Sequence, residues 1–222
     1  MNDKPIHSIT PFTMLDFPDK LACIFWFSGC NMACPYCYNV EFLKEKGKIT
    51  KEYALNFLDS RKGLLDGVVL SGGEATLYKD LISFAQSIKQ RNFLLKLDTN
   101  ASNPLVLEKL IYFDLLDYVS LDFKALKAKE HIFIKNFNLF DNFLKCLKLL
   151  QESKISFSVR TTLHSDILNV DDVVKMEKIL RENGYEKEYF LQHFVFDKET
   201  LKELPKHDRE QYKGIKNIVF TN

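Results

Sequence analysis

The sequence predicts an α/β fold, either an open sheet or an incomplete α/β barrel of six strand–helix repeats. Three observations predict it. Short apolar runs alternate along the chain with longer stretches of helical periodicity. The runs are nearly continuous in Val, Ile, Leu and Phe, which suits parallel strands buried on both faces. Each run also ends in, or is followed by, residues able to do chemistry, and sites in α/β folds form at the carboxyl ends of parallel strands.

The first run, Cys23–Phe27, leads into Gly29 and then Cys30, Cys34 and Cys37. The second, Val68–Leu70, leads into Ser71-Gly72-Gly73-Glu74. Leu77, Leu81, Phe84, Ala85 and Ile88 then recur on one helical face. The third run, Phe93–Leu97, meets Asp98-Thr99-Asn100. Asn103-Pro104 reads as a helix N-cap followed by proline at the first helical position. The fourth run, Tyr118–Phe123, carries Asp122 and Lys124 at its end. Phe140, Phe143, Leu144 and Leu147 mark the next helix. The fifth run, Ser156–Thr161, carries Arg160, with Thr162 beyond it. Val173, Met176 and Leu180 form another apolar face, and Asn183-Gly184 reads as its C-terminal stop. The sixth run, Tyr189–Phe194, carries Gln192 and His193. Crossovers between such parallel strands are right-handed. Six repeats fall short of a closed eightfold barrel.

A length of 222 residues fits one domain, expected as a core of about 20–195 with a C-terminal extension over 196–222. The formal net charge of +1 gives no global basic field, so no nucleic-acid partner is expected. The stretch MNDKPIHSITPF holds no continuous apolar segment, so no secretory signal is expected. The longest apolar run, Leu21–Phe27, is too short to span a bilayer. A cytoplasmic protein without a membrane partner is the expectation.

Three of the five cysteines fall in Cys30-Asn31-Met32-Ala33-Cys34-Pro35-Tyr36-Cys37, the pattern C-x3-C-x2-C. An odd count without an export signal argues against a disulfide framework. A loop of this spacing wraps one face of a compact inorganic cluster, and soft thiolates suit iron–sulfur clusters or zinc. A structural zinc site needs a fourth ligand. The nearest histidines in sequence are His7 and His131, and Cys23 and Cys146 read as small buried hydrophobes in a strand and a helix. The same argument weakens a four-cysteine electron-transfer cluster. Three thiolates would leave one iron of a four-iron cluster open for substrate chemistry.

The C-x3-C-x2-C loop with an aromatic residue before its last cysteine resembles that of radical S-adenosylmethionine (SAM) enzymes. Ser71-Gly72-Gly73-Glu74 resembles their GGE motif. The stretches LDFPDKLACIFWFSGCNMACPYCYN, GVVLSGGEATL, LKLDTN, DYVSLDFKA, VRTTL and LQHF run in order from Leu15 to Phe194. Together they are similar to the activating proteins of glycyl radical enzymes, above all the longer form that serves anaerobic ribonucleoside-triphosphate reductase.

The resemblance implies a partial (β/α)6 TIM-like barrel of the radical SAM type. It implies a [4Fe–4S] cluster on Cys30, Cys34 and Cys37 as the catalytic centre, with SAM on the open iron. One electron would cleave the sulfonium to a 5′-deoxyadenosyl radical, the cofactor carrying the difficult chemistry. Glu74 is implied to bind the SAM amino group, a charge-assisted hydrogen bond, with Gly72 and Gly73 allowing close backbone approach. Tyr36 is implied to stack near the adenine. Asp98, Thr99, Asn100, Asp122 and Lys124 are implied to line the SAM site, and Arg160 and His193 to contact SAM. A monovalent cation near the SAM carboxylate, held by Asp and Thr positions like Asp98, Thr99 and Asp122, is a further implied ligand. The implied partners are a glycyl radical enzyme, anaerobic ribonucleotide reductase foremost, and a reductant such as flavodoxin or ferredoxin. Three positions depart from the pattern: Ala75 where proline is common, Ala101 where glycine is common, and Tyr38 where histidine is common.

Each residue also has a bland reading. Glu74 suits the first turn of a helix, Asn100 or Asp98 suits an N-cap, Asp122 and Lys124 suit a solvated strand end, and Tyr36 suits packing inside a tight loop. Two further functions remain open: a radical SAM enzyme acting on a small molecule, and a non-catalytic metal or electron-transfer module.

Overall fold

The computed structural model of the chain describes residues 4–135 and 138–221. These form eight strands, β1 (Ile6–Thr13), β2 (Ala22–Phe27), β3 (Gly67–Gly72), β4 (Leu94–Thr99), β5 (Tyr118–Asp122), β6 (Ser156–Leu163), β7 (Tyr189–His193) and β8 (Ile218–Thr221). The helices are α1 (Val40–Lys44), α2 (Lys51–Asp59), α3 (Leu81–Lys89), α4 (Pro104–Tyr112), α5 (Leu139–Glu152) and α6 (Val170–Glu182). All six expected strands are present, and the α/β class stands. The chain resolves into two compact units.

The first unit holds residues up to Asn31, then Glu41–Thr99 and Asn103–Ser120. Here β1 pairs antiparallel to β2, and β2, β3 and β4 run parallel. Period-two alternation explains why β2 is apolar throughout. Cys23, Phe25 and Phe27 are buried on one side, where Phe25 stacks on Phe84 of α3 at 6.0 Å. Ala22 and Ile24 pack with Phe17 and Val69 on the other, beside the half-buried Trp26, Leu94 and Tyr118. Fully burying one such ring is worth about 1.5–3 kcal/mol. The trace corrects the expected helix at its start. Leu77 belongs to a separate 3-10 turn, Ala75–Leu77, and is exposed. α4 begins at Pro104 as expected, but the Asn103 side chain caps no amide of its own helix and donates to the Thr76 carbonyl at 3.1 Å.

The second unit holds Met32–Val40, Asn100–Ser102 and the chain from Leu121 onward. β6, β7 and β8 run parallel in chain order. α5 buries Leu139, Phe143, Cys146, Leu147 and Leu150, so the apolar face is rotated slightly from the one expected through Phe140 and Leu144. α6 opens with a reciprocal Asn169–Asp172 capping box and closes at Asn183, with Gly184 at φ +79°. Among the described residues no helix is long and apolar enough to cross a membrane.

Ala101 adopts φ +63°, the left-handed region that the glycine common at this position takes freely. The Ser102 N–H bonds the Asn100 Oδ1 at 3.0 Å across this turn. Ala101→Gly should change stability by less than about 1 kcal/mol: relief of left-handed strain is offset by greater freedom of the unfolded chain and a lost buried methyl. Denaturant midpoints of the two proteins check this, and a loss beyond about 2 kcal/mol would contradict the strain argument.

Candidate functional site

β2 ends at Phe27, and the chain turns at once. The Ser28 N–H bonds Pro5 O at 2.9 Å, the Gly29 N–H bonds Phe42 O at 2.7 Å, and Gly29 takes φ +85°. The end of β3 is tied to this turn. The Gly73 N–H reaches Phe27 O and the Glu74 N–H reaches Gly29 O, both at 2.8 Å. The two turns approach so closely that a Cβ on Gly73 would lie 2.0 Å from Gly29 O, and one on Gly72, at φ +109°, 2.6 Å from Phe27 N. Both glycines are thus required by the contact between the cysteine-loop entry and the GGE turn.

Glu74 is 2% exposed and N-caps the following 3-10 turn. Its Oε1 accepts from Thr76 N at 3.2 Å, Thr76 Oγ1 at 2.6 Å and Thr99 Oγ1 at 2.9 Å. Thr76, a residue without motif status in the sequence, is therefore the main organiser of this carboxylate. Asp98 accepts from Ser71 Oγ at 3.1 Å and from the Lys96 ammonium. Ser71 stands in the stretch that the sequence marks after the second apolar run, whereas Lys96 was not singled out. The signal for Lys96 was available: a lysine inside a buried strand is rare unless paired. On this unit Gly29, Glu74, Tyr78, Lys4, Lys46 and Lys79 help line an open cavity of about 730 Å³.

The loop then passes into the second unit. Its exit is braced from two directions. The Ala33 N–H bonds Phe133 O at 2.8 Å, and Tyr36, only 3% exposed, packs its ring 5.7 Å from Phe133. The Leu201 N–H bonds Cys37 O at 3.2 Å and the Lys202 N–H bonds Pro35 O at 3.0 Å. Tyr38 accepts from Val195 N at 2.6 Å and stacks on Phe194. The C-terminal segment, which has no sequence motif, thus holds the second half of the cysteine loop.

The thiols divide by burial. Cys23 and Cys146 are buried, whereas Cys30, Cys34 and Cys37 are half-buried. Burial pushes the Cys34 thiol up to about 11, reinforced by Cys37 and Asp122 and opposed by Lys124. Burial also raises Cys37, and takes Cys23 up to about 12. Thiols held this high are protonated near neutrality, so a metal must displace their protons to bind. Among the described residues, no three His, Cys, Asp or Glu gather as tightly as the ligands of a single ion. In chemistry the three half-buried thiols are soft donors of the kind an iron–sulfur cluster takes, and among the described residues the buried Tyr36 hydroxyl has no hydrogen-bond partner.

Asp122, Lys124 and Arg160 form one network. Asp122 accepts from Arg160 Nε at 2.6 Å and from Lys124 Nζ at 2.9 Å. Burial opposes ionisation of Asp122, but Arg160 and Lys124 outweigh it and hold the carboxyl below its usual range. Lys124 is raised in return: burial works against its charge, and Asp122, with Cys34 and Tyr36, prevails. Two cations around one carboxylate leave this group with net positive character.

His193 stands apart from that network. Leu163 is its register partner, so it sits on the β6–β7 face opposite Arg160 and Thr162. Its Nδ1 lies 2.9 Å from His207 Nε2, and its ring stacks on Phe220 at 4.7 Å. His207 Nδ1 accepts from the Ser165 N–H, so its Nε2 carries the proton donated to His193.

The model of the "Radical SAM superfamily" matches residues 24–176 of this chain. A Methanocaldococcus jannaschii protein described as a "Putative glycyl-radical enzyme activating enzyme" is 31% identical over 96% of this chain and 91% of its own length. The pyruvate formate-lyase-activating enzyme of Clostridium pasteurianum is 29% identical over 92% of this chain and 97% of its own. Among solved structures, Streptococcus suis SuiB bound to S-adenosylmethionine aligns with TM-score 0.61 at 15% identity, over 83% of this chain and 43% of that one. Methylornithine synthase aligns with TM-score 0.63 at 14% identity, over 86% of this chain and 58% of that one. This chain spans about half the length of these two structures, and at such identities the likeness is one of fold.

Proposed function

The chain belongs to the radical SAM superfamily, and on that premise we propose that it generates a glycyl radical on a partner enzyme, anaerobic ribonucleoside-triphosphate reductase foremost. Membership brings a [4Fe–4S] cluster and SAM. The observation that carries the activase reading is the nearly end-to-end match to the Methanocaldococcus jannaschii protein.

In this reading Cys30, Cys34 and Cys37 hold the cluster, which supplies, when bound, one-electron reductive cleavage of SAM and thereby removal of a hydrogen atom from a glycine Cα. The chain's own residues bind and orient. Glu74, fixed by the hydroxyls of Thr76 and Thr99, accepts the SAM ammonium. The positive Asp122–Lys124–Arg160 group receives the SAM carboxylate. Gly72 and Gly73 keep the turn under the cysteine loop free of side chains. Asp98 and Asn100 stand at and just past the end of β4, where the reading places SAM-lining groups. Tyr36, stacked near the adenine in this reading, also stiffens the loop against Phe133. On this reading His193, held by His207 on the sheet face opposite Arg160, supports the strand end rather than touching SAM. The electron comes from a flavodoxin or ferredoxin in the cytoplasm. Contacts remote from the reacting atoms position the glycine, so that binding energy holds it within reach.

The test is anaerobic incubation of reduced enzyme, SAM and the candidate reductase. A doublet electron paramagnetic resonance signal is expected on the reductase, collapsing to a singlet when the glycine α-hydrogen is deuterium. SAM cleavage coupled productively to a small molecule, with every glycyl radical enzyme of the source cell silent, would replace this reading.

A further inference from the structure

The monovalent cation implied beside Asp98 does not fit the residues present. Lys96 and Asp98 lie two apart on β4 and therefore on one face, while Leu95 and Leu97 are buried on the other. The Lys96 ammonium is ion-paired to Asp98, the two side chains being 4% and 11% exposed. It also lies 6.0 Å from the centroid of the Tyr118 ring, whose face favours a cation. The second oxygen of Asp98 accepts from Ser71. An alkali ion at this carboxylate would sit against a fixed ammonium in a water-poor setting, where like charges repel strongly.

We propose that Lys96 is a positioning residue that serves as the internal cation of the site. It supplies beside Asp98 the positive charge an alkali ion would otherwise bring, so SAM binding by this chain is independent of alkali cations. The inference rests on the reading that Asp98 lines the SAM site. A tethered ammonium cannot be diluted away, and it offers hydrogen-bond donors where an alkali ion offers charge alone.

The experiment measures SAM affinity of anaerobically reconstituted holoenzyme in choline chloride and in potassium chloride at equal ionic strength. The melting temperature of the cluster-free protein is recorded in both salts. The native protein should bind SAM within about twofold in the two salts and melt at the same temperature. Lys96→Met should bind about tenfold or more weakly in choline, recover in potassium or ammonium, and melt higher in potassium than in choline. Lys96→Arg keeps the charge and should stay indifferent to the salt. If Lys96→Met does not fold, the native protein and Lys96→Arg decide the matter. SAM binding by the native protein that requires potassium, or unchanged binding of Lys96→Met in choline, overturns the inference alone. Absence of SAM binding in every salt overturns the functional reading and this inference with it.

Discussion

Alanine at any one of Cys30, Cys34 or Cys37 is expected to take iron and sulfide from about four of each per chain to near zero after anaerobic reconstitution. A site of three thiolates has no spare donor, and the only other cysteines, Cys23 and Cys146, are buried elsewhere in the core. Cys23 lies within β2 with its thiol near Gly67 O, and Cys146 on α5 donates to Ala101 O at 3.5 Å. Cys23→Ala and Cys146→Ala should therefore keep the cluster and lose only packing, about 1–2 kcal/mol of stability each. Iron and sulfide analysis with the visible absorbance of the five single variants is the measurement. Loss of the cluster in Cys146→Ala with retention in Cys34→Ala would reverse the assignment.

Glu74→Gln is expected to weaken SAM binding by about tenfold to a hundredfold, the loss of a charge-assisted bond of about 1.5–3 kcal/mol. Glutamine keeps a carbonyl oxygen for Thr76 and Thr99, so the capped turn after β3 should survive. The melting temperature and iron content should then stay close to those of the native protein. Glu74→Ala should show both effects, adding about 0.5–2 kcal/mol for the lost cap. Titration of the reduced cluster with SAM, followed by electron paramagnetic resonance, separates the two variants. An unshifted curve for Glu74→Gln would remove this carboxylate from the SAM site.

The strands most legible in the sequence were those with two covered faces. β2 and β3 are apolar at nearly every position because both sides meet core, so runs such as Cys23–Phe27 mark them. β1 and β8 went unseen for the opposite reason. Ile6–Thr13 mixes polar and apolar residues without a period of two, carries Pro11, and changes register between Ile6 and Ser8 and again between Thr10 and Thr13, so it leaves no strand pattern. Ile218–Thr221 has only four residues and partly exposed side chains. At the site, the cysteines, Glu74, Asp98 and the Asp122–Lys124–Arg160 group were legible because strand ends concentrate function. Their partners were not. Thr76 and Lys96 act through local contacts with one carboxylate each, and Phe133 through a ring and a carbonyl. Such contacts leave no periodicity or spacing in a lone sequence. The face on which His193 stands was likewise set by pairing with Leu163, a relation between strands that no residue announces by itself.

The two amides that clasp the cysteine loop, Leu201 and Lys202, lie about 160 residues beyond the carbonyls they bond. On a ribosome working at about 5–20 residues per second, that separation is roughly 8–32 s of synthesis. Between the emergence of Pro35 and Cys37 and that of Leu201 and Lys202, the loop is without its clasp. The nascent loop is thus open to iron–sulfur delivery, to oxidation and to proteases before it can close. Closure waits on the arrival of Leu201 and Lys202, and slowing translation ahead of their codons prolongs the exposure without changing a single residue.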